Sequence, residues 1–177
     1  MKEQDEEIIA AMRSPARRES GFALLVRTHQ ERLYGHLRRM LGNHPDADDA
    51  LQNALIKVWK NFDRFRGDAA LYTWLFRIAT NEALTLIEKR KQTGHHLPMD
   101  HIPLRVVRDG PDGEEIERRL AAALEMLPPK QRQVFDLKYF EELTYEEMAA
   151  ITGTTVGALK ASYFHAVKKI ESALKAT

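Results

Sequence analysis

The chain has 177 residues, with 27 Lys and Arg against 26 Asp and Glu, a formal net charge of +1. Hydrophobic residues make up 44% and charged residues 30%, which suits one ordinary domain or two small ones and excludes wholesale disorder. No apolar run approaches the roughly 18 residues needed to cross a bilayer, and the absence of cysteine excludes disulfides and thiolate metal sites. The acidic opening, Met1-Lys-Glu-Gln-Asp-Glu-Glu, lacks the basic and apolar regions of a signal peptide, so the expected location is the cytoplasm. A charge near zero also argues, at first sight, against a nucleic-acid binder.

Helical periodicity runs through nearly every segment, and no stretch alternates with period two. The expected fold is all-α. A short acidic helix covers Glu3 to Met12, and Ser14-Pro15 reads as an N-cap followed by proline at the first helical position. The next helix carries Phe22, Leu25, Val26, His29, Leu33, Leu37, Met40 and Leu41 on one face and stops at Gly42, with Pro45 beyond it. A third helix follows with Ala47, Ala50, Leu51, Ala54, Leu55, Val58 and Trp59 at i, i+3, i+4, i+7 spacing. Asp46, Asp48 and Asp49 crowd its first turn, where carboxylates complement the helix dipole. Dipole complementation explains those aspartates fully, but not the exposed Ile56 on the same face as Asp48, Asp49, Gln52 and Asn53.

Asn61 to Asp68 is expected to be a loop, and a fourth helix from about Leu71 to Gln92 buries Leu71, Trp74, Leu75, Ile78, Ala79, Ala83 and Ile87. Here aromatics alternate with Arg64, Arg66, Arg77 and Lys89-Arg90-Lys91, a composition suited to single-stranded nucleic acid. The helical stripe assigns Trp74 to the core. Phe62 and Phe65 stay open between stacking on a base and folding back onto the core.

Thr93 to Asp112 loses the periodicity and holds Pro98, Pro103 and Pro111, which reads as a linker between two small domains, 1–92 and 113–177. Fully extended, it reaches at most about 70 Å. His95, His96 and His101 are the only clustered candidate metal ligands; without partner groups in a flexible segment they read as solvated, and no metal site is expected. No phosphate loop, nucleophile elbow or His-Glu-x-x-His pair is present, so no catalytic constellation is found and no cofactor is implied.

Beyond the linker, Glu114 to Met126 and Lys130 to Phe140 are helical around a Leu127-Pro128-Pro129 corner. Thr144-Tyr145-Glu146-Glu147 is a capping-box start for a short helix that meets Thr152-Gly153-Thr154. The last helix, from about Thr155 to Leu174, buries Val156, Leu159, Tyr163, Val167, Ile170 and Leu174. Its opposite face presents Gly157, Ala158, Ala161, Ser162, His165, Lys168, Lys169 and Ser172, with Lys160 beside it. This is a helix-turn-helix pattern in which small residues allow entry to the major groove and lysines reach phosphates. A plain helical bundle with a solvated lysine face has the same pattern. So do a protein-binding helical adaptor and a ligand-sensing helix-turn-helix repressor, which would dimerise and bind duplex DNA unaided.

The run Asp46-Ala-Asp-Asp-Ala-Leu-Gln-Asn-Ala-Leu-Ile-Lys-Val-Trp, then Phe65-Arg-Gly and Thr73-Trp-Leu-Phe-Arg-Ile-Ala-Thr-Asn, resembles region 2 of bacterial RNA polymerase sigma factors. Leu127-Pro-Pro-Lys-Gln-Arg-Gln-Val-Phe, Leu143-Thr-Tyr-Glu-Glu-Met-Ala and Val156-Gly-Ala-Leu-Lys resemble region 4. Two such blocks without a third domain between them resemble the small extracytoplasmic-function group of the sigma-70 family.

The resemblance implies a transcription initiation factor with no catalytic activity of its own. Its partners would be core RNA polymerase (the β′ clamp helices and the β flap), promoter DNA and an anti-sigma factor. Asp48, Asp49, Gln52, Asn53 and Ile56 would dock on the clamp helices. The loop Phe62 to Ala70 and the helix after it would hold a flipped base of the −10 element, with Phe62, Phe65, Arg66, Tyr72, Arg77, Asn81, Lys89, Arg90 and Lys91 as contacts. The −35 element would meet Thr155, Gly157, Ala158, Lys160, Ala161, Ser162, His165, Lys168 and Lys169. Promoter elements one and a half duplex turns apart need the domains roughly 50 Å apart, within reach of the linker. Family members often carry arginine where this chain has Ser162 and His165, so bidentate reading of guanine is not available there. The acidic helix Glu3 to Met12 is not part of the shared motifs.

Split by segment, the charge no longer opposes this reading. Residues 1–92 carry 16 basic and 13 acidic side chains, while 155–177 carry four lysines and one glutamate. A modest overall charge fits a factor that binds DNA poorly until the polymerase adds its own electrostatic surface.

Overall fold

The computed structural model describes residues 2–93 and 113–175. The chain divides into two compact units, residues 1–99 and 100–177. Among the described residues there are eight α-helices, two short 3-10 helices and no strand, as the periodicity predicts. The expected linker, apart from Thr93, and its histidines lie outside the described residues.

In the first unit, α1 (Lys2–Arg13) packs against α2 (Arg18–Leu41), and α2, α3 (His44–Asn61) and α4 (Leu71–Thr93) pack on one another. Ile8 and Met12 of α1 are fully buried, so this acidic helix is part of the core although it stands outside the recognised motifs. Its approach depends on Gly21, where an added Cβ would stand 2.8 Å from the Ala11 Cβ and from the Met12 backbone nitrogen. Pro15 does not open α2. It starts a separate 3-10 turn, Pro15–Arg17, Ser14 makes no side-chain cap bond, and α2 begins at Arg18. That tight turn folds α1 back along α2. At the other end Gly42 ends α2 in the left-handed region (φ 79°), and its N–H donates to the Arg38 carbonyl at 2.9 Å. Pro45 is then not a terminator but lies in the first turn of α3, behind Asn43, whose side chain accepts from the Asp46 N–H at 3.0 Å.

The second unit is a helical bundle of α5 (Gly113–Glu125), α6 (Pro129–Tyr139), α7 (Tyr145–Thr152) and α8 (Val156–Lys175). Leu120, Ala123, Leu124, Leu127, Phe135, Ala166 and Ile170 form its core, with Tyr163, Val167 and Leu174 packed against them. The predicted capping box is present: Thr144 Oγ1 accepts from the Glu147 N–H at 3.2 Å and a Glu147 carboxylate oxygen from the Thr144 N–H at 2.8 Å. Gly153 (φ 68°) ends α7, and its N–H donates to the Ala149 carbonyl. Thr155 precedes α8 as its cap, its Oγ1 accepting from the Ala158 N–H at 3.3 Å. The capping box fixes the start of α7, and Gly153 and Thr155 fix the turn between α7 and α8.

Candidate functional site

The α3 helix buries Ala47, Ala50, Ala54 and Val58 against its neighbours. Asp48, Asp49, Gln52, Asn53 and Ile56 are all exposed along its other side, at i, i+1, i+4, i+5 and i+8. Ile56 is 45% exposed, an apolar side chain in a polar row. An ion pair between Lys57 and the buried Glu82 fastens this helix to α4 beside that row. The five residues expected to dock on a partner therefore share one continuous, rigidly backed face.

The segment between α3 and α4 differs from expectation. Phe62–Arg64 forms a 3-10 helix rather than open loop. Phe62 is 1% exposed and Phe65 5%, with their rings against Trp74 at 5.8 and 5.3 Å. Tyr72 is 6% exposed, 4.7 Å from the Phe76 ring and under the Arg32 guanidinium at 4.0 Å. These three aromatics, expected at the −10 element, are buried in the core in this structure. The physical reason is that α4 packs against both α2 and α3, so two of its faces are buried and the aromatics beside them fill the gap. Asp63 and Arg64 are exposed, and beyond Phe65 so is the whole stretch 66–70, including Arg66, with Gly67 at φ 82°. Along α4, Arg77, Asn81 and Lys89 are exposed. Arg90 is half-buried, paired with the carboxylate of Asp46 and donating to the Leu41 carbonyl at 3.4 Å, so it braces the α2–α3 corner. Lys91 lies in α4, but its side chain is outside the described residues.

Two histidines of the first unit carry perturbed protonation. His36 is fully buried, its Nε2 2.9 Å from Thr80 Oγ1 and its ring 4.3 Å from Phe76, and burial pushes its pKa down to about 3. His29 is lowered too: burial outweighs the opposing attraction of Asp5.

In the second unit, Thr155, Gly157, Ala158, Lys160, Ala161, His165, Lys168 and Lys169 are exposed together on α8, and Ser162 is half-buried at the edge of that face. Sequence reasoning missed Phe164, which lies among them 58% exposed, with the Lys168 ammonium 5.6 Å from its ring centre. The available signal was its place off the stripe of Leu159, Tyr163 and Ile170. A large aromatic out of phase with the buried positions of a helix has no core to enter. Lys160 lies over the Tyr145 ring at 5.6 Å, which orients its ammonium next to the turn between α7 and α8.

Comparison with known proteins agrees with this architecture. The family model for sigma-70 region 2 matches residues 25–93, and that for sigma-70 region 4 matches residues 117–170. The chain is 31% identical to the RNA polymerase sigma-H factor of Pseudomonas aeruginosa, over 98% of this chain and 95% of that protein. It is 33% identical to the ECF RNA polymerase sigma-E factor of Haemophilus influenzae, over 87% of each. Among solved structures it resembles the sigma factor RpoE of Bartonella quintana, crystallised with the anti-sigma factor NepR. That match has a TM-score of 0.72 and 26% identity, covering 87% of this chain and 96% of that one. A chain that joins a region 2 helical unit to a region 4 helix-turn-helix and is 33% identical to an ECF sigma factor over 87% of each chain belongs to the extracytoplasmic-function family of RNA polymerase sigma factors.

Proposed function

We propose that this protein brings core RNA polymerase to a defined set of promoters and opens them, acting in the cytoplasm and without catalysis of its own. The observation that carries this reading is the pairing in one chain of a rigidly backed polar face, holding the exposed Ile56, with a capped basic recognition helix. The α3 face from Asp48 to Ile56 docks on the β′ clamp helices, and the second unit engages the β flap. The exposed stretch 66–70 takes a base extruded from the −10 element, and Arg77, Asn81 and Lys89 follow the single strand on α4. The α8 face from Thr155 to Lys169 enters the major groove of the −35 element, with Lys168 and Lys169 on phosphates. The residues 1–92, 93–112 and 113–177 act as the polymerase-binding domain, linker and −35 domain.

Because the DNA-facing surfaces of both units are exposed, an anti-sigma factor is the expected inhibitor. The similar sigma factor crystallised with the anti-sigma factor NepR supports this. The test is transcription by core polymerase reconstituted with this protein, followed by sequencing of transcript 5′ ends. New start sites sharing −10 and −35 elements are expected. Failure to open any promoter and to co-purify with core polymerase would exclude the reading and favour a protein-binding adaptor.

A further inference from the structure

The exposed stretch 66–70 is only as well placed as its ends. Its far end is set by α4, where the Trp74 N–H donates to the Ala70 carbonyl at 3.2 Å and Leu71 is buried. Its near end is held by two arginines from the other side of the unit. Arg13, the last residue of α1, donates from Nη2 to the Phe65 carbonyl at 3.3 Å. Arg18, the first residue of α2, donates from Nη1 to both carboxylate oxygens of Asp63, at 3.1 and 3.2 Å. From Nη2 it donates to the Trp59 carbonyl at 2.9 Å, and its guanidinium carbon lies 5.2 Å from the centre of the Trp59 ring.

One guanidinium thus ties the last turn of α3, which has carbonyls without helical partners, to the 3-10 helix that follows. The other holds the carbonyl of Phe65, the last buried residue before the exposed stretch. Both arginines lie upstream of residue 25, where the match to region 2 begins.

We infer that Arg13 and Arg18 are positioning residues for promoter opening: they hold the start of the 66–70 stretch in the geometry that discriminates the extruded −10 base. This rests on the assignment of 66–70 to that base. The physical argument is preorganisation. A short exposed loop that reads a base must place its polar groups within a few tenths of an ångström. A loop whose anchor is free to move loses part of its binding energy in becoming ordered, and loses the wrong-base penalty as it adapts. Neither arginine touches DNA in this scheme. α1, which stands outside the recognised motifs, acquires a role as the platform that presents Arg13.

The test uses the full chain reconstituted with core polymerase. Its probe is fork-junction promoter DNA carrying each of the four bases at the unpaired −10 position. For the parent protein, the ratio of affinities between preferred and rejected bases is expected to exceed one clearly. In Arg18→Ala that ratio is expected to fall about three-fold toward one, as loss of a partly exposed ion pair implies, with affinity for core polymerase unchanged. In the exchanged pair Arg18→Asp/Asp63→Arg, partial recovery of the ratio supports the clamp. A ratio left at the parent value in both Arg18→Ala and Arg13→Ala overturns the inference. So does an equal fall in core binding, the mark of a merely structural residue. A parent holoenzyme with no base preference at the fork overturns instead the assignment of the loop, and the inference with it.

Discussion

The Asp5 carboxylate on α1 and the His29 imidazole on α2 face each other, with Oδ1 and Nε2 2.9 Å apart and His29 only 2% exposed. With the carboxylate ionised, the ring donates and stays neutral. Deeper in the same unit, His36 is also held neutral by burial. Both folded-state pKa values lie below the ordinary value near 6.5, so the unfolded chain takes up these protons first. The associated stability is fully present above about pH 6.5 and is lost as pH falls below it. At pH 5, His36 alone would remove about 2 kcal/mol. Urea denaturation at pH 7 and pH 5 should show that fall, and His29→Gln should make the slope shallower.

The packing of α1 should be sensitive to one atom group. Gly21→Ala places a methyl 2.8 Å from the Ala11 Cβ and the Met12 backbone nitrogen, and backbone cannot yield as a flexible side chain would. A loss of about 1–3 kcal/mol is expected. It should appear as earlier proteolytic cleavage within α1 and a lower denaturation midpoint.

Phe65 and Arg66 are neighbours with opposite expected phenotypes. Phe65→Ala empties a buried site between Phe62 and Trp74 and should cost about 3–5 kcal/mol of stability. Arg66→Ala, on the exposed stretch, should leave stability within about 0.5 kcal/mol while weakening binding to −10 single strands. Thermal midpoints compared with fork-junction binding separate the two; a stable Phe65→Ala would contradict the packing described.

Asp49 is exposed and α3 is buried through its other side, so Asp49→Arg should leave the helix content and midpoint intact. On the proposed docking face it should abolish co-purification with core polymerase. Unaltered binding would move the interface elsewhere.

Lys168→Glu should weaken −35 binding alike at all sequences and lower the slope of log affinity against log salt by about one, as a phosphate contact does. A loss confined to one base pair would instead make Lys168, beside the exposed Phe164, a reader of sequence.

The helices and their order were legible because each rests on local signals: the Ala47, Ala50, Ala54, Val58 spacing of α3, the Thr144–Glu147 capping box, and glycine at Gly42 and Gly153. The exposed faces of α3 and α8 followed from the same periodicity. What only the tertiary structure decided is where a second face is used up. Tyr72 and Phe76 are off the stripe read for α4, yet both are buried because α2 and α3 arrive on different sides of that helix. Phe62 and Phe65 had no periodicity to place them, and their position is set with Arg13 and Arg18, whose contacts span 41 to 52 residues of chain. Arg90 belonged by composition to a basic cluster and by geometry to Asp46, from the start of α3. Periodicity describes one helix against one neighbour. A side chain's commitment to core, clamp or open surface depends on every helix that reaches it, and those meetings are set by packing between residues far apart in the chain.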